Sequence, residues 1–166
     1  ITLGLDLQGG LYMILGIDFN KVYKDEVLGY ARKIEYILKD AGIDAKVGQF
    51  KIDDIQDPMH SINISDNAQL EAAKAKIREF FPSILRLTSE NGSELFYGLT
   101  KVTKTTIEEQ AVGKSIEVIR NRIDEFGVTE PEIFSQGTNR IVVQLPGVKD
   151  IERAKALIGK TAKLEF

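Results

Sequence analysis

Residues 112–145, VGKSIEVIRNRIDEFGVTEPEIFSQGTNRIVVQL, carry a helix, a stop and a hairpin in one run. Val112, Ile116, Ile119, Ile123 and Phe126 recur at helical spacing, so they share one face of a helix predicted over about 105–126. Gly127 suits a left-handed helix end, and Pro131 follows where the helix cannot continue. Two short apolar runs, 133–136 and 140–145, flank Gly137-Thr138-Asn139 and predict a hairpin. Downstream, Asp150 is expected to cap a short helix with Ile151, Ala154, Leu157 and Ile158 inward. Gly159 is expected to end it, leaving 162–166 as a last strand.

Upstream the same alternation of elements recurs. LYMILGID (residues 11–18) is apolar on both faces, as a central strand would be. A helix of about 20 residues follows, with Val27, Ala31, Ile34, Leu38 and Ala41 on one side and Gly42 after it. Strands are predicted at 47–52 and 61–64. Asp66 with Gln69 resembles a capping box opening a helix that carries Leu70, Ala73, Ile77 and Phe80 and stops at Pro82. Strands at 84–88 and 94–99 meet at Asn91-Gly92, a strong hairpin signal. The sum is an α+β chain reading as βαββαβ twice, the split-βαβ or ferredoxin-like pattern. Its two central strands are expected to run parallel, with both helices on one face.

Composition narrows the function. The chain has 166 residues, 22 basic against 25 acidic, one His and no Cys. Thiol catalysis, Cys-based zinc and disulfides are excluded. The mild acidity and the lack of aromatics on the 141–145 strand argue against nucleic acid. No apolar run approaches the ~20 residues that span a bilayer. The chain starts at Ile1, which reads as a cut piece of a longer protein.

Chemistry-bearing motifs are weak. Gly113-Lys114-Ser115 and Gly159-Lys160-Thr161 end like phosphate loops, but Glu108 and Ala154 stand where the leading glycine is needed. Asp53, Asp54 and Asp57 lack the alternation of a calcium loop. His60 is read as a surface or edge residue. No catalytic residue, cofactor or metal ligand is expected. Two groups remain. Gly4, Asp6, Gln8, Gly9 and Gly10, set among alternating leucines, describe a stiff joint. Arg120 and Arg122, in the last turns of the third helix, suit the helix dipole or a docking partner.

Those residues carry a resemblance. LGLDLQGG (3–10), RNRIDEFGVTEPEI (120–133), QGTNRIVVQLPGV (136–148) and ERAKALIGKTAKLEF (152–166) resemble, in order, signature blocks of the SecD family of bacterial protein-export subunits. The resemblance implies a non-enzymatic periplasmic domain of an inner-membrane protein, sited after its first membrane helix. It implies SecF, the SecYEG channel and the translocating preprotein as partners, with export driven by the proton-motive force. The family's proton-carrying residues lie in membrane helices, so none is carried over to this chain. It also implies nesting. Residues 1–18 with 104–166 would form a conserved base module, and 19–103 an inserted αββαββ module. Pairing of 11–18 with 140–145 would favour nesting; pairing with 61–64 would oppose it. The competing reading is a small-molecule-binding regulatory module of tandem ferredoxin-like units.

Overall fold

The computed structural model describes residues 2–6, 10–53, 57–128 and 130–165. It divides into two compact units, residues 1–19 with 108–166 and residues 20–107. Each holds one four-stranded antiparallel sheet.

In the first unit, β1 (Thr2–Asp6) and β2 (Gly10–Gly16) pair with Gly4 opposite Tyr12 and Asp6 opposite Gly10. A 26-residue helix, α3 (Lys101–Phe126), enters from the second unit. The hairpin β7 (Glu132–Gln136) and β8 (Arg140–Leu145) follows, then α4 (Ile151–Glu165). The sheet order is β1-β2-β8-β7. β2 pairs with β8, Leu11 opposite Leu145 and Met13 opposite Val143. Because side chains alternate across a strand, Leu11, Met13 and Leu15 share a face with Ile141, Val143 and Leu145. All six are buried.

The second unit runs α1 (Asn20–Asp40), β3 (Ala45–Ile52), β4 (Pro58–Ile64), a 3-10 turn (Asn67–Gln69), α2 (Leu70–Phe80), β5 (Leu85–Asn91) and β6 (Glu94–Leu99). Its sheet order is β3-β4-β6-β5. Both helices cover one face. Ala31, Ile34 and Leu38 of α1 and Ala73 and Ile77 of α2 share a core with Ala45, Ile62, Ile64, Leu95 and Tyr97 of the sheet. Gly92 turns the β5–β6 hairpin at φ 61°, which L side chains rarely adopt.

Several expectations are corrected. The central strands of both sheets are antiparallel, β2 with β8 and β4 with β6: α2 joins β4 to β5, which are not neighbours, and β6 between them runs the other way, as β8 does between β2 and β7. Thr2–Asp6, where no strand is predicted above, is a paired edge strand. The strand expected at 162–166 is absent, since α4 continues to Glu165. The cause is local and topological. Gly159 has no positive φ and sits in open space, a placement a helix tolerates at about 1 kcal/mol. Lys, Ala, Leu and Glu then favour helix, and the place beside β2 is held by β1. His60 is not at the surface: it lies on β4, an interior strand, and is 5% exposed. Asp66 accepts from the Ala68 N–H at 3.0 Å, but Gln69 turns its amide to the Gly42 carbonyl instead of closing a capping box.

Candidate functional site

The arginine expected to matter at the end of α3 lines a groove inside the first unit. α3 stops where Gly127 takes φ 80°, its N–H bonding the Asp124 carbonyl at 3.1 Å. α4 starts where Asp150 caps it, its carboxylate accepting the Arg153 N–H at 3.1 Å. Between the last turns of α3 and the first turns of α4 lies a groove of about 440 Å³, lined by Arg122, Glu125, Phe126, Arg153, Ala156 and Leu157. Arg122 and Phe126, four residues apart, fall on one side of α3. Arg153 and Leu157 have the same spacing on α4.

Its electrostatics are simple. The Arg153 guanidinium lies over the Phe126 ring, 5.2 Å from its centroid, within cation–π range. Arg122 Nη1 stands 3.8 Å from Glu125 Oε2, too long for a hydrogen bond, with side chains 46% and 70% exposed. Such a pair contributes little. Glu152 is taken by Lys155 at 3.5 Å. Two guanidinium groups thus face one loosely held carboxylate over a floor of Phe126, Ala156 and Leu157.

The other expected residues are placed as follows. Arg120 is exposed and does not line the groove, because two residues turn the helix by about 200°. The expected pair is therefore split. Gly4 and Asp6 lie in β1 and Gly10 opens β2, where it is buried; Gln8 and Gly9 lie outside the described residues. Gly113–Ser115 sits inside α3, with the Ser115 hydroxyl donating to the Ala111 carbonyl at 2.8 Å, and Gly159–Thr161 sits inside α4. Asp57 is engaged by Arg86 and donates its own N–H to Asp53 at 2.9 Å; Asp54 lies outside the described residues. No group of three or more metal-ligating side chains occurs among the described residues. His60 Nδ1 lies 3.2 Å from the Ser61 carbonyl, and burial, aided by Arg32, holds its pKa below the ordinary value. Sequence reasoning missed Arg153, and it put Phe126 and Leu157 in the core, where both are in fact half-exposed. The i, i+4 repeat of an arginine and a bulky apolar residue, present on both helices, was the available signal.

Comparison with known proteins then places the chain. Residues 112–166, which include all six groove residues, match the family described as protein translocase subunit SecDF, P1 domain, N-terminal. Over the whole chain, the protein translocase subunit SecD of Desulfurispirillum indicum is 38% identical, that of Aquifex aeolicus 35% and that of Pseudomonas aeruginosa 34%. The chain is similar along its whole length to SecD translocase subunits. It spans 31%, 31% and 26% of the length of those three SecD proteins. No solved structure matches it significantly. No helix among the described residues is long and apolar enough to cross a membrane. The SecD blocks map onto β1 and the start of β2, the end of α3 with β7, the β8 hairpin, and α4.

Proposed function

We propose that the chain is a periplasmic base domain of a SecD subunit in the bacterial inner membrane. It assists proton-motive-force-dependent export of preproteins together with SecF and the SecYEG channel. Its role is mechanical and not enzymatic: its two α+β units, each with its own core, give the membrane-embedded parts a platform. The observation that carries this is the 33–38% identity to SecD translocase subunits along nearly the entire chain. A relay of this kind needs two states of unequal free energy biased by a partner.

We read the two units as ferredoxin-like, with residues 19–103 inserted into a base module of 1–18 and 104–166. The β2–β8 pairing and the two sheet orders support that reading. In the first sheet β1 occupies the edge that the last strand of a βαββαβ unit would hold, and in the second β6 occupies the interior place, between β4 and β5, that the first strand would hold. Gly9 and Gly10 are read as the joint at the β1–β2 connection, with Gly4, Asp6 and Gln8 around it. The burial of Gly10 opposite Asp6 supports a stiff connection.

The test removes residues 2–165 from the full-length protein and measures export of a secreted reporter in cells lacking the native copy. Export is expected to fall to the level of the null strain. Export at the normal rate would show that the platform is dispensable and the reading wrong. A second deletion, of 20–107 alone, is expected to leave a folded base module that retains its β2–β8 amide contacts by NMR.

A further inference from the structure

We propose that the groove between the ends of α3 and α4 is a docking site for a partner protein segment carrying an Asp or Glu beside a bulky apolar side chain. Charge complementarity selects that occupant. The chain as a whole is acidic, at −3, yet the groove presents Arg122 and Arg153 against Glu125 alone. Glu125 sits 3.8 Å from Arg122 and is 70% exposed, so it yields to a better-aligned carboxylate at little cost. Arg153, over the Phe126 ring, has no carboxylate partner among the described residues, and a guanidinium can give a carboxylate two parallel N–H···O bonds. The contact with the Phe126 ring also restricts the guanidinium before a partner arrives, which lowers the entropy lost on binding.

The floor sets the second requirement. Phe126 and Leu157 are half-buried and Ala156 is exposed, so an apolar side chain entering between them would cover surface now facing water. Arginine and aromatic residues around a small apolar cleft are the side chains that most often anchor interfaces. A lipid surface fits less well, because attraction to anionic headgroups takes clusters of four to eight basic residues and the groove has two. A protein carboxylate with an adjacent apolar side chain uses both features at once.

The experiment places a benzophenone amino acid at Ala156 in the full-length protein in its own membranes. The expected result is a crosslink to another protein, mapped by mass spectrometry within about one helical turn of an Asp or Glu flanked by a large apolar residue. Arg122→Glu with Arg153→Glu is expected to lower the yield tenfold or more. Changing the mapped acid to Lys is expected to restore it in that double variant. Arg120→Glu, on the same helix but away from the groove, is expected to leave the yield unchanged. The proposal is overturned by crosslinks to lipid only, to a second copy of this chain, to a segment without a carboxylate, or to nothing. Failure of the charge swap to restore the crosslink overturns it too, as does an equal loss with Arg120→Glu.

Discussion

Replacing Gly48 by Ala tests how the second unit is packed, and the structure sets the size of the effect. Gly48 lies where β3 slips register against β4, between Val47 and Phe50. A β-carbon there would stand 2.0 Å from Ser61 Oγ, 3.2 Å from Ser61 Cβ and 3.0 Å from the Asn63 amide nitrogen. No positive φ is involved, so the test isolates space from backbone strain. Ser61 is fully buried, and its hydroxyl accepts the Gln49 N–H at 2.8 Å. To admit the methyl group the hydroxyl must rotate away, leaving that N–H unpaired at a cost of about 1–3 kcal/mol. Crowding of the surrounding atoms adds a cost of about 1–3 kcal/mol. The stiffer unfolded chain returns about 0.4–1 kcal/mol. The net loss is about 3 kcal/mol. Native-state hydrogen exchange at Ile62 and Leu95, buried on strands of the same sheet, reads this unit separately from the other. Exchange there should quicken roughly a hundredfold, at a factor of ten per 1.4 kcal/mol. In a Ser61→Ala background the hydrogen bond is already gone, so the same substitution should cost less by about 1–2 kcal/mol. A neutral Gly48→Ala, or an identical cost in both backgrounds, would refute the account.

Three further outcomes follow from other contacts. Gly159→Ala should stabilise the chain by up to about 1 kcal/mol and raise far-ultraviolet helix signal, because the site is open helix interior; a loss of stability would mean a turn there. His60 is held below its ordinary pKa of 6.5 chiefly by burial, so the unfolded chain binds the proton more tightly. Its contribution is complete above pH 6.5 and drains as pH falls towards the folded value; urea titrations from pH 7.5 to 5 should show that slope flattened in His60→Gln. Glu35 is held below its ordinary 4.5 by the Val47 N–H at 2.7 Å, then by Lys39 at 3.1 Å. Its stabilisation is present above 4.5 and lost as pH drops through the lowered midpoint, so a carboxyl NMR titration of Glu35 should end below 4.5 and move up in Lys39→Met.

The groove illustrates what was readable beforehand. Arg122 drew notice because charge near a helix end is a local signal. Arg120 does not line the groove with it, since a separation of two residues points side chains to opposite flanks of a helix. Arg153 was invisible as a partner. Nothing local says that the start of α4 returns to the end of α3, a meeting that depends on how both helices lie in the unit.

Local rules settled the elements whose signals are local. The stripe of Val27, Ala31, Ile34 and Leu38, the Asn91-Gly92 hairpin and the Gly127 stop all read directly from spacing and backbone preference. The likeness to SecD was legible as well, because it rests on the order of residues and not on their contacts. Tertiary structure alone decided the rest. It paired Thr2–Asp6 with β2, buried His60 on an interior strand and carried α4 through Gly159 to Glu165. A strand gains its hydrogen bonds only from a neighbour, and the edge beside β2 has room for one. Which segment takes that edge is a competition between distant parts of the chain, and helix is the outcome for a segment left without a partner.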